Sequence, residues 1–167
     1  MANITFDGIT VRTTGDLPAV GTPLPAFTLT DANLKDVTST SLVGRRIVLN
    51  IFPSIDTSVC AASVRRFNEL AASLPDTTVV AVSQDLPFAL GRFCAAESID
   101  NVVTTSAFRS SFGDDYGLTM IDGPLQGLLA RAVIVADTHG TVRHVQLVAS
   151  IGSEPNYNAA GAAVLST

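Results

Sequence analysis

The chain has 167 residues, 47% hydrophobic and 15% charged, with a formal net charge of -5. This is the size and composition of one compact domain (residues 1–167) with a substantial core, and it argues against a disordered chain. No basic run exceeds Arg45-Arg46 or Arg65-Arg66, which argues against a nucleic-acid or anionic-membrane surface, and no apolar stretch approaches a membrane span.

Met1 to Asp7 lacks the basic start and apolar run of a signal peptide, so a soluble cytoplasmic protein is expected. Ile4–Phe6 and Ile9–Val11 flank Asp7-Gly8, the strongest hairpin signal in the chain. A proline-rich linker (Pro18, Pro23, Pro25) leads to a short strand, Phe27–Thr30. Arg46–Phe52 is an almost continuous apolar run, the pattern of a strand buried on both faces, and Pro53 ends it. From Ser58 to Leu74 the period becomes helical: Cys60, Val64, Phe67, Leu70 (or Ala71) and Leu74 recur at intervals of three and four. Thr57 is the expected N-cap, which places Cys60 at the third helical position. Thr78–Ser83 reads as a second buried strand. Asp85 is expected to cap another helix, with Pro87 in its first turn and Leu90, Phe93 and Cys94 facing inward. Val102–Thr105 reads as a strand, and Phe112–Gly127 as a long loop with at most one helical turn. Ala132–Ala136 and Thr141–Val148 form two strands joined by Asp137-Thr138-His139-Gly140, and Tyr157–Leu165 a small helix. Strands alternating with helices and ending in a hairpin indicate an α/β fold around a mixed sheet.

Only two cysteines exist, so any redox pair is Cys60 with Cys94, and a reducing compartment favours such a role over a structural staple. At a helix start the unpaired N–H groups and the helix dipole favour negative charge, and the thiolate is the nucleophilic form of cysteine. Spacing alone is equally compatible with a buried cysteine that only fills space. What favours chemistry is the junction itself. A strand–proline–loop–helix turn presents its first-turn side chain at the sheet edge, where α/β folds place ligands, and Thr57 adds a hydroxyl nearby.

These residues resemble a family. Pro53-x-x-x-Thr57-x-x-Cys60 matches the peroxiredoxin active-site motif, and Ser83-Gln84-Asp85-Leu86-Pro87-Phe88-Ala89-x-x-Arg92-Phe93-Cys94 is similar to the second signature of the bacterial thiol peroxidase branch. The amino-terminal hairpin, Leu129-Ala130-Arg131-Ala132 and Glu154-Pro155-Asn156-Tyr157 extend the resemblance over nearly the whole chain. It implies a thioredoxin-like fold with an added hairpin and no cofactor. Cys60 would attack a hydroperoxide and become a sulfenic acid, with Thr57 hydrogen-bonding the peroxide, Pro53 shielding the site and Arg131 holding the thiolate. Cys94 would resolve the sulfenic acid into an intramolecular disulfide that thioredoxin reduces. The resemblance also implies a homodimer and a preference for organic hydroperoxides. Ser58 departs from the proline usual there, which leaves the helix start open by one residue.

Phe88, Phe93, Phe112, Tyr116 and Met120 could line an apolar substrate pocket, with core packing the competing fate for at least half. Gly91, Gly113 and Gly117 are candidate flexible points. A disulfide needs Cα atoms within roughly 7 Å. Two thiols on different helices are therefore expected to stand apart when reduced and to meet through local unfolding. Two other classes compete: a cysteine hydrolase using Cys60 with His139 or His144 as base, and a redox-sensing or binding module that uses the same cysteine pair without turnover. The histidines lie five residues apart in an environment expected to be exposed, without the further ligands a zinc site needs. No Cys-x-x-Cys occurs, which disfavours a disulfide exchanger.

Overall fold

The computed structural model describes residues 1–167. In chain order the elements are β1 (Asn3–Phe6), β2 (Ile9–Arg12), β3 (Thr28–Asp31), β4 (Asp36–Thr38), α1 (Ser39–Leu42), β5 (Arg46–Ile51) and α2 (Ser58–Ala71). These are followed by β6 (Thr77–Ser83), α3 (Pro87–Glu97), β7 (Val102–Ser106), α4 (Phe112–Asp115), β8 (Ala132–Ala136), β9 (Val142–Leu147) and α5 (Tyr157–Leu165).

Seven strands form one mixed sheet in the order β4-β3-β7-β6-β5-β8-β9. β5, β6 and β7 run parallel, while β8, β9, β3 and β4 join antiparallel. This is the thioredoxin-like fold, with β1 and β2 as a separate hairpin. Asp7 and Gly8 both adopt positive φ (48° and 80°), the conformation a two-residue type I′ hairpin turn requires.

The period-two alternation of the central strands divides the core into two. Ile47, Leu49 and Ile51 of β5, with Val80, Val82, Ala132 and Ile134, face a cluster closed by Ile4, Val11, Phe112, Tyr116 and Met120. Val48, Val79, Ala81, Val133 and Val135 face the opposite cluster, closed by Cys60, Val64 and Phe67 of α2, Leu90 of α3, and Ala160 and Val164 of α5. α2, α3 and α5 thus cover one face of the sheet, and the hairpin and the 107–130 connection cover the other. No helix is long and apolar enough to cross a membrane.

Several boundaries depart from the sequence reading. α2 stops at Ala71, and Ser73 and Leu74 bond back three residues to Leu70 and Ala71. Pro75 disfavours helical geometry in the residue before it, so the last turn tightens, while Leu74 still reaches the core. β4 and α1 are too short to carry a periodic signal and emerge only as an edge beside β3. Asp85 does not cap α3. The N-cap is Leu86, with no side-chain bond, and the Asp85 carboxylate faces the loop before α2. Gly113 and Gly117 stand where a side chain would not fit: Gly113 is buried against Leu129, and Gly117 has φ 68° with the Asp16 backbone where its Cβ would lie.

Candidate active site

β5 ends at Ile51, and Phe52 still bonds to the next strand through its N–H on the Val82 carbonyl. Pro53, buried and lacking an N–H, ends the ladder and turns the chain into the loop 54–57. Thr57 is the N-cap of α2 with extended backbone (φ -107°, ψ 147°), so Ser58 takes the first helical position and Cys60 the third. Serine in place of proline therefore leaves the helix start where the sequence reading put it. The Thr57 hydroxyl does not cap the helix. It donates to the Ser54 carbonyl at 2.9 Å, which leaves its lone pairs free to accept.

Cys60 is 1% exposed, on the apolar face of α2. Its Sγ is 3.3 Å from Nη2 of Arg131, which immediately precedes β8. Arg131 is itself 1% exposed and has no carboxylate partner. Nε and Nη2 donate to the Ile151 carbonyl at 3.1 and 2.8 Å, Nη2 also meets the sulfur, and Nη1 has no partner. Burying a guanidinium this way is costly unless its surroundings compensate it, and the Cys60 sulfur is the only side-chain atom that its donors meet. The sequence reading brought Pro53, Thr57, Cys60 and Arg131 to one place, and the fold does so. It missed the segment that holds Arg131. The Ile151 N–H bonds to the Thr5 carbonyl, and Thr5 N–H to Ala149, so the amino-terminal hairpin fixes the carbonyl on which the guanidinium rests.

Pro53, Thr57, Val59 and Arg131 line a cavity of about 160 Å³ whose remaining walls include Phe6, Leu125, Leu128 and Ile151. The aromatic residues proposed from sequence do not line it. Phe112, Tyr116 and Met120 are buried in the core on the hairpin side of the sheet, Phe93 packs with the helix-side core, and Phe88 is 68% exposed. Helical or strand periodicity marks core as readily as pocket, and the actual lining comes from the hairpin, the start of α2 and three loops. A wider cleft of about 650 Å³ at the β3–β4 edge is lined by Thr28, Thr30, Asp36, Arg109 and Ser111, among others, without a cysteine.

Cys94 lies on α3, half-buried, with Sγ 3.3 Å from the Thr104 hydroxyl on β7. Both cysteines are free thiols. Thr104 registers with Ala81, Asn50 and Val133 across β6, β5 and β8. Cys94 therefore rests against a strand about 14 Å from the one that Arg131 leads into, at three strand spacings.

His139 is exposed in the turn after β8, at the opposite end of that strand from Arg131 and the Cys60 thiol. His144 pairs with Val135 near the same far end. It is half-buried rather than exposed, its Nε2 has no partner, and burial holds it below the ordinary histidine range. Neither is placed to act as base for Cys60.

The Redoxin family profile matches residues 19–160. Thiol peroxidases of Corynebacterium glutamicum and Mycobacterium tuberculosis are 56% and 55% identical to the chain over 164 residues, covering 98% of it and 99% of each relative. The chain is a member of the Redoxin family, an enzyme of its thiol peroxidase branch. Among solved structures, a peroxiredoxin-like protein from Aquifex aeolicus superposes with a TM-score of 0.94 at 35% identity, covering 99% of this chain and 97% of that one. A thiol peroxidase from Chromobacterium violaceum shares the fold at a TM-score of 0.91 and 21% identity, with the same coverage.

Proposed function

We propose that this thiol peroxidase homologue reduces hydrogen peroxide and organic hydroperoxides with Cys60 as the attacking thiolate and Cys94 as the resolving thiol. The observation that carries the reading is the buried Arg131 guanidinium, with Nη2 on the Cys60 sulfur and Nη1 unpartnered beside an apolar cavity.

In the first step the Cys60 thiolate attacks one peroxide oxygen. An S–O bond forms, the O–O bond breaks, and the sulfur is oxidised by two electrons to a sulfenic acid. The leaving oxygen takes a proton and departs as alcohol or water. Charge moves from sulfur toward the leaving oxygen, so a rigid fork of donors beside both atoms stabilises the transition state more than the separated reactants. The Thr57 hydroxyl, its proton already given to Ser54, accepts a hydrogen bond from the hydroperoxide O–H and orients it. Pro53 and the leucines around the cavity exclude competing water.

In the second step the Cys94 thiolate attacks the sulfenic sulfur. An S–S bond forms and the S–O bond breaks, releasing water once the departing oxygen is protonated. With Cys94 on Thr104 and Cys60 on Arg131, this step needs local opening of the loop before α2, of α3, or of both. A thioredoxin-type dithiol then returns two electrons and restores both thiols. The cytoplasm, which keeps thiols reduced, suits that cycle.

One equivalent of cumene hydroperoxide added to reduced protein, followed by thiol alkylation and intact-mass measurement, tests the reading. Loss of both free thiols with a two-hydrogen mass decrease is expected. Two thiols still free after exposure would overturn it and leave Cys60 as a core residue. One added oxygen with Cys94 free would keep the first step and remove the second.

A further inference from the structure

Asp85 joins the two cysteine-bearing segments. It sits between β6 and α3, two residues before Pro87, which begins the helix carrying Cys94. Aspartate is a favoured helix cap, yet here the carboxylate turns away from α3. Its Oδ1 accepts the Ser54 hydroxyl at 2.7 Å, and its Oδ2 accepts the Ile55 N–H and the Ser83 hydroxyl, both at 2.7 Å. Ser54 and Ile55 belong to the loop that leads into the Cys60 helix. Ser54 extends the connection, since its hydroxyl accepts the Asp56 N–H at 3.2 Å and its carbonyl accepts both the N–H and the hydroxyl of Thr57. One carboxylate therefore fixes, through one serine, the residue that stands at the N-cap position of α2 and lines the cavity.

We propose that Asp85 is a latch between the two half-reactions. As a positioning residue, it holds Thr57 and Cys60 in the geometry for peroxide attack, and it must release the Ser54–Ile55 loop before Cys60 can reach Cys94. This rests on the two-cysteine reading above. The physical reason is that the two 2.7 Å bonds to Ser54 and Ile55 exist only while the loop and the start of α3 keep their present relation, whereas the Ser83 bond stays within the Asp85 segment. Hydrogen bonds to a charged group are the strong ones, and they lengthen little before breaking. Bringing the thiols together moves the loop, the start of α3, or both, and the carboxylate ties these two pieces to each other. The latch therefore favours the separated state, and removing it shifts the equilibrium toward the opened one.

The consequence is an opposite effect on the two steps, which a merely structural role would not produce. Reduced wild type, Asp85→Asn, Ser54→Ala and a core control, Val164→Ala, are mixed with cumene hydroperoxide. Rapid quenching, alkylation and mass measurement then give the rate of sulfenic acid formation and of its conversion to disulfide. Asp85→Asn is expected to slow the first step by about tenfold and to speed the second by about tenfold, the scale set by losing charge-assisted bonds. Ser54→Ala moves both rates in the same two directions by less, and decides the matter should Asp85→Asn fail to fold. Val164→Ala, buried in α5 far along the same core, leaves the ratio of the two rates unchanged. Disulfide formation unchanged or slowed in the latch variants, or accelerated equally in the control, overturns the proposal. A wild type that reacts without forming a disulfide instead overturns the two-cysteine reading, and the latch with it.

Discussion

Arg131 carries a full charge at 1% exposure with only a sulfur and a carbonyl as partners, so its fixed fork, rather than its charge alone, defines the site. Lysine would retain the charge but cannot hold the Ile151 carbonyl, the sulfur and an incoming oxygen at once. Arg131→Lys is expected to reduce kcat/KM for hydroperoxides by about 10²-fold, the scale of removing one preorganised donor, and steady-state turnover with a dithiol reductant measures it. Thr57→Val, which removes the acceptor facing the cavity, should fall in the same range while Cys60 still reacts with alkylating agents. Pro53, Thr57 and Cys60 were legible because they lie within eight consecutive residues of a strand–loop–helix junction. Arg131 lies 71 residues from Cys60. Nothing in local spacing distinguishes it from a surface arginine, and only resemblance pointed to it.

At the scale of elements, α3 carries Cys94, so its stability bears on the proposed second step. Gly91 sits in its middle, and an added Cβ would meet nothing closer than the Ala32 side chain at 3.7 Å. Gly91→Ala therefore stabilises α3 by about 0.5–1 kcal/mol through backbone entropy. If α3 opens during the second step, disulfide formation slows by about two- to fivefold while sulfenic acid formation is unchanged, a split that the quenched-flow measurement resolves. The β8–β9 turn shows a different control. Asp137 is buried, which alone would raise its carboxyl, but the Thr141 N–H, the Arg143 guanidinium and the His139 N–H together hold it below the usual range. A lowered folded value means stabilisation that is complete above the ordinary carboxylate value near 3.8 and is lost as pH falls through the folded one. Asp137→Asn should thus lose about 1–2 kcal/mol at neutral pH, with the gap to wild type closing below pH 4 in denaturant melts. The hairpin turn itself was readable from Asp137–Gly140, whereas Asp85 was not. Its sequence context suits a cap, and only the approach of the preceding loop redirects its carboxylate.

At the scale of the whole molecule, the amino-terminal hairpin is part of the site. Thr5 bonds to Ala149 and Ile151, Ile151 positions Arg131, and Phe6 forms a wall of the cavity. Phe6→Ala opens that wall and is expected to raise KM for cumene hydroperoxide by about tenfold while leaving the rate with hydrogen peroxide within about twofold, since only the larger substrate uses the apolar contact. Comparing kcat/KM for the two peroxides is the check.

The sequence by itself determined the elements with strong period and their succession along the chain, the hairpin at Asp7-Gly8, and the junction that places a cysteine at the third position of a helix. These depend on neighbours within a few residues, through backbone sterics, proline and capping, and so are written locally. The tertiary structure alone decided the carbonyl that seats Arg131, the walls of the cavity, the strand against which Cys94 rests and the direction of the Asp85 carboxylate. Each depends on which segments the sheet order brings side by side, and residues as far apart as Thr5 and Ile151 meet only once the two cores have closed.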